Sequence, residues 1–167
     1  MNYLIFRTDR IGDFLISAIL IKSIIRNDPN ARITVIASEK NFSYIKDFKY
    51  IHEVLLLRNN LFDKIKLIFK LKKKIFNKII IHDDKRRSKF ITFFLKSENK
   101  ILVKNNNQYS HIKIIKNILK KTECDFHKDS LNILDEKFPN YINNEKYIHF
   151  HFDEKWIHAD YIKKYVN

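Results

Sequence analysis

What most constrains this chain is the alternation of short apolar runs with longer segments of helical spacing. Tyr3–Arg7, Arg32–Ala37, Glu53–Leu57, Lys78–His82 and Lys100–Val103 are runs rich in Ile, Leu and Val, the composition of strands. The first shows no clean apolar–polar alternation, which suits a strand covered on both faces, as in a parallel sheet. Between and after these runs, Phe14–Ile25, Leu61–Ile75, about Lys89–Leu95 and His111–Lys121 carry helical spacing. Strand, helix, strand in series predicts right-handed βαβ crossovers. The expected fold is α/β: a Rossmann-like, mostly parallel sheet flanked by helices. Asn27-Asp28-Pro29-Asn30 stops the first helix, because proline cannot continue it. With one glycine and two prolines in the chain, the turns must come from Asn, Asp, Ser and Lys.

In open α/β sheets the ligand crevice lies outside the carboxyl ends of the strands. Arg7-Thr8-Asp9-Arg10-Ile11-Gly12-Asp13 occupies that place after the first strand and holds the sole glycine, Gly12. A carboxylate at Asp13 facing the crevice can act as general base on a hydroxyl. The competing reading is a helix-capping aspartate, at Asp9 or Asp13. There is no GxGxxG, P-loop, CxxC or nucleophile elbow. Lys85-Arg86-Arg87 reads as an anion contact. His82-Asp83-Asp84 beside it is either a carboxylate pair for a divalent cation or a solvated loop. Lys155, in Asp153-Glu154-Lys155-Trp156, can hold a phosphate as a point charge or belong to an ordinary surface turn. His149 and His151 share one side of a predicted strand and with Asp153 could bind a metal, but two imidazoles without a third well-placed ligand are a weak signal, so no metal is expected.

The net charge of +14 would suit polyanions, but the lysines are dispersed and no nucleic-acid module is visible. The heavy use of Ile, Lys and Asn also fits an AT-rich coding bias. Nucleic acid is therefore not the expected partner. Cys124 stands alone, which excludes a disulfide framework. Phe14–Ile25 is interrupted by Ser17, Lys22 and Ser23 and falls short of the ~20 apolar residues of a span. A cytoplasmic protein is expected, with peripheral contact at the inner membrane left open.

Residues 1–121 are expected to form one α/β domain, 122–146 a linker, and 147–167 the opening βα unit of a second domain. Tyr147–Phe152 is its strand and Asp160–Val166 its helix. One βα unit cannot bury a core of its own.

Several segments, in order, resemble glycosyltransferase family 9, the lipopolysaccharide heptosyltransferases. Arg7–Leu15 is similar to the family's R-x-D-x-I-G-D signature. Pro29–Thr34 and Tyr50–Val54 resemble the family's approaches to the second and third strands. Lys78–Ser88 is a looser match, and Glu154-Lys155-Trp156 resembles its K-x-W or K-W motif. The resemblance implies a GT-B architecture, two Rossmann-like domains across a cleft, with the acceptor on the N-terminal side. The implied reaction is inverting transfer from a nucleotide sugar of the ADP-heptose type to a lipopolysaccharide core or similar glycan. It implies Asp13 as base, and Lys155 at the donor phosphates. Arg7, Asp9, Arg10, Gly12, Arg86 and Arg87 would face an anionic glycan or glycolipid acceptor. No cofactor is implied, since the nucleotide sugar is a substrate. Two departures stand out. Ser17-Ala18 replaces the proline usual in the first helix, and most of the donor domain is missing. The chain alone is therefore expected to be inactive, as a fragment or half of a split enzyme. The alternative is a non-enzymatic or degenerate module that binds anionic glycolipid or a partner protein.

Overall fold

A computed structural model describes residues 1–103 and 110–131. Its centre is a sheet of five strands, β1 (Asn2–Phe6), β2 (Arg32–Ala37), β3 (Glu53–Leu56), β4 (Phe76–Ile81) and β5 (Ser97–Leu102). Their order across the sheet is β3-β2-β1-β4-β5. All adjacent pairs are parallel, and β1 is central: Leu4 pairs with Thr34 of β2 on one side and Ile79 of β4 on the other. The helices are α1 (Ile11–Asn27), α2 (Phe42–Ile45), α3 (Leu61–Lys72), α4 (Arg86–Phe93) and α5 (His111–Lys121), followed by a 3-10 turn at Lys128–Leu131.

The two faces of β1 go to different cores. Tyr3 and Ile5 point to one side, where Phe14, Ala18 and Ile21 of α1 and Ile115, Ile118 and Leu119 of α5 cover them. Leu4 and Phe6 point to the other, against Leu67, Ile68 and Leu71 of α3 and Ile91 of α4. Side chains alternate along a strand, so a strand buried on both faces needs an unbroken apolar run. That is the physical reason for the pattern at Tyr3–Phe6.

Several elements begin earlier than the sequence pattern predicts, α1 at Ile11 and β4 at Phe76 among them. β5 starts at Ser97 rather than Lys100, and its side chains alternate between half-buried and exposed until Ile101. It is an edge strand, where backbone pairing needs no apolar run and exposed polar residues discourage further pairing. α4 starts at Arg86 rather than about Lys89; in its polar first turn Arg87 bonds Thr8 after β1, and Ser88 bonds Asp83 in the turn just before the helix.

The first part of the expected linker lies against α1. The Asn27 side chain donates to the Asp125 carbonyl and accepts from the Asp125 N–H, both at 2.9 Å. The buried Lys78 ammonium donates to the Thr122 carbonyl at 2.7 Å. The rest of the expected linker, the 147–167 unit with Lys155, and His149 and His151 lie outside the described residues. Among the described residues, no helix is long and apolar enough to cross a membrane.

Candidate functional site

The chain leaves β1 toward β2 on one side and later returns to β4 on the other, so the strand order reverses at the carboxyl end of β1. Crevices of open α/β sheets form at such a point. Here it is a cleft of about 640 Å³, walled by the turns after β1, β2, β3 and β4.

Asp83, just past β4, builds its floor. The side chain is buried, and one carboxylate oxygen accepts from the Thr8 hydroxyl at 2.5 Å, the Ser88 hydroxyl at 2.7 Å and the Thr8 N–H at 3.2 Å. The other accepts from the Lys85 N–H at 3.2 Å. A carboxylate with four donors is neither a solvated loop nor an open cation ligand, so both readings of Asp83 are corrected. Its neighbour Asp84 has φ 48°, a left-handed conformation that Asp tolerates better than most residues, and its carboxylate lies 2.5 Å from the Lys89 ammonium. Thr8 in turn holds Arg87: its hydroxyl accepts from Arg87 Nε at 3.1 Å and Nη2 at 2.8 Å, and its carbonyl from Nη2 at 2.6 Å. Arg87 thus lines the cleft in a fixed orientation.

Arg7 is buried and does not line the cleft. Its guanidinium donates to the carbonyls of His82 at 2.5 Å and Asp13 at 2.8 Å. It also approaches the Asp9 carboxylate at 3.2 Å and the Asp13 carboxylate at 3.7 Å. Burial pushes the Arg7 pKa down, opposed by Asp9, Asp13 and Asp83. Its role in this arrangement is to anchor the turn from beneath.

Asp13 both caps the helix and faces the cleft. At the start of α1 it accepts the Arg10 N–H at 3.2 Å, which satisfies one of the open donors of the helix end. Its side chain is 40% exposed and lines the cleft beside Arg10. Asp9 also lines the cleft, but sits deeper. Burial pushes its carboxyl pKa up, Arg7 pulls it down, and Asp13 and Asp83 add to the rise. The exposed rim carries Arg10, Lys40, Arg58 and Lys85 together with Glu39, which lies 3.7 Å from Arg58, while Asp9 and Asp83 lie lower. A ligand at the mouth therefore meets charges of both signs, with cations in excess.

Gly12 and Arg86 are exposed and do not line the cleft. A Cβ built on Gly12 meets nothing within 4 Å, so the fold does not require glycine there. Gly12→Ala is expected to leave stability unchanged or raise it by about 0.5–1 kcal/mol, because alanine favours a helix. Thermal melting tests this, and a clear loss of stability would contradict it.

The sequence reading missed four further contributors: Asn41, Ser17, Lys40 and Arg58. Asn41 is buried; its side chain donates to the Arg7 carbonyl at 2.8 Å and accepts the Ser38 N–H at 2.9 Å, tying the turn after β2 to the end of β1. Ser17, in the Ser17-Ala18 pair that stands about where the family resemblance leads one to look for proline, lies 2.8 Å from His82 Nδ1, with both residues buried. Burial, then Arg7 and His111, push the His82 pKa down to about 3. Lys40 and Arg58 at the rim had no local signal. Among the described residues no cluster of His, Cys, Asp and Glu forms a metal site.

No family model and no curated protein matches the sequence. Solved structures do match in fold. Heptosyltransferase WaaC of E. coli with ADP superimposes with a TM-score of 0.68 at 12% identity, over 84% of this chain and 54% of that one. The glycosyl transferase family 9 structure from Veillonella parvula gives 0.61 at 11% identity, over 93% and 46%. E. coli ADP-heptose lps heptosyltransferase II gives 0.54 at 18% identity, over 61% and 30%. The chain spans about half the length of the first of these. Its five-stranded parallel sheet with flanking helices is a heptosyltransferase-like α/β fold of the glycosyltransferase family 9 type.

Proposed function

We propose that this chain is the acceptor-side half of an inverting glycosyltransferase that uses a nucleotide sugar of the ADP-heptose type. The observation that carries this reading is the half-exposed Asp13 carboxylate at the mouth of a switch-point cleft, in a fold shared with heptosyltransferases. Asp13 takes the proton of an acceptor hydroxyl as its oxygen attacks the anomeric carbon, and the bond from that carbon to the nucleoside diphosphate breaks. The proton ends on Asp13 and the electron pair on the departing phosphate oxygen. Arg7, 3.7 Å from the Asp13 carboxylate, helps to hold that side chain at the mouth of the cleft. Arg10, Lys85 and Arg87 offer charge-assisted hydrogen bonds to an anionic acceptor, such as a phosphate-bearing lipopolysaccharide core. Asp9 assists in holding that acceptor.

Transfer needs a second wall for the donor, where Lys155 would meet the diphosphate. The chain without such a wall is expected to be inactive. The test extends the chain with a donor domain and follows transfer from ADP-heptose to a lipopolysaccharide core. Asp13→Asn is expected to lower kcat by about 10²–10⁴, with circular dichroism unchanged. Full turnover by the Asn variant would remove Asp13 from the role of base. Binding of anionic glycolipid without any transfer by the extended chain would favour a binding module instead.

A further inference from the structure

α3 and α4 turn large apolar side chains outward on the side of the sheet away from α1 and α5. Phe62, Ile65 and Phe69 of α3 are 87%, 42% and 64% exposed, and their spacing puts them in one stripe along the helix. Phe90, Phe93 and Phe94, at the end of α4, are also exposed, and their rings meet edge-on with centroids 5.2 and 5.3 Å apart. The two groups belong to one surface. Lys72 of α3 lies over the Phe94 ring at 5.8 Å, and a groove lined by Leu71, Ile75 and Leu95 joins the ends of the two helices.

Residues 61–96 hold twelve Lys and Arg against three Asp. Of those three, Asp83 is buried and Asp84 lies against Lys89. The exposed lysines on and just after these helices include Lys66, Lys72, Lys73 and Lys96. A second copy of the same face would set lysines against lysines, which opposes self-association. An anionic bilayer accepts both components: aromatic rings enter the headgroup boundary while ammonium groups meet lipid phosphates.

We propose that the α3–α4 face docks on an anionic phospholipid bilayer, with Phe62, Phe69, Phe93 and Phe94 as apolar anchors and the interleaved lysines as the electrostatic contact. None of these residues lines the cleft, so the inference stands whether or not the chain takes part in glycosyl transfer.

The test is flotation of the full chain with vesicles of phosphatidylcholine alone or mixed with phosphatidylglycerol. Binding is expected only with phosphatidylglycerol present and is expected to weaken as salt rises. Phe93→Ser with Phe94→Ser, and separately Lys66→Glu with Lys73→Glu, should each reduce vesicle partitioning by about tenfold or more. All four side chains are exposed, so circular dichroism should not change. Equal binding to both vesicle types, or undiminished binding by either double variant, would overturn the proposal. So would sedimentation showing a dimer that the phenylalanine variant dissociates while vesicle binding stays absent.

Discussion

Acidification below pH 6.5 is expected to weaken the fold through His82, by up to about 1.4 kcal/mol for each pH unit. The sign follows from the two ends of the equilibrium. In the unfolded chain His82 takes a proton near its ordinary value of 6.5, whereas in the fold burial, Arg7 and His111 hold it down to about 3. Between those values the unfolded state binds the additional proton, so stability is full above 6.5 and is lost as the pH falls. Asp9 acts in the opposite sense: burial raises its pKa, so the folded state takes up that proton before the unfolded state does and offsets part of the loss. Denaturant unfolding at a series of pH values checks this, with His82→Gln as the comparison. The His82→Gln variant should lose most of the slope; identical slopes in the two proteins would show that His82 is not its source.

Replacing Asp83 with alanine is expected to cost about 3 kcal/mol, at the upper end of the cost of stranding buried polar groups. Four donors lose their acceptor at once: the Thr8 hydroxyl and N–H, the Ser88 hydroxyl and the Lys85 N–H. At this chain length the loss corresponds to a fall of roughly 10 °C in Tm. Asp83→Asn retains one acceptor oxygen and should fall between the two. The effect should also reach the cleft, because Arg87 is oriented by the same Thr8 hydroxyl. Thermal melting reads the outcome directly, and a change under about 1 kcal/mol would mean that the floor of the cleft is held some other way.

The legible parts of the molecule were those with a local physical signature. β1, β2 and β4 lie inside the sheet, so most of their residues are apolar and the strands stand out in the sequence. β5 lies at an edge, where Ser97 and Asn99 pair through their backbones and leave no hydrophobic trace before Ile101. The start of α4 was hidden in the same way, behind the polar run Lys85–Ser88. Within the site, a helix-capping aspartate after β1 was legible as Asp9 or Asp13, and the structure gives that place to Asp13. Asp83 with Thr8, His82 with Ser17, and Asn41 with Arg7 are 75, 65 and 34 residues apart. Only the fold brings these together. Arg7 illustrates the remaining difficulty: a charged residue at a strand end reads as facing a ligand, yet this one is spent on backbone carbonyls below the cleft.

α4 places two surfaces at a set separation. Arg87 lies in its first turn and Phe94 caps its end, seven residues or about 10 Å apart at the rise of an α-helix. That is close to one Debye length at physiological ionic strength. With Phe94 resting on an anionic membrane, whose surface potential is about −30 mV, the cleft still stands within reach of that field. Proton activity there rises by a fraction of a pH unit, and Asp9, already pushed up by burial, takes up its proton more readily than it does in free solution. The length of α4 thus sets how much of a charged surface's field reaches the cleft.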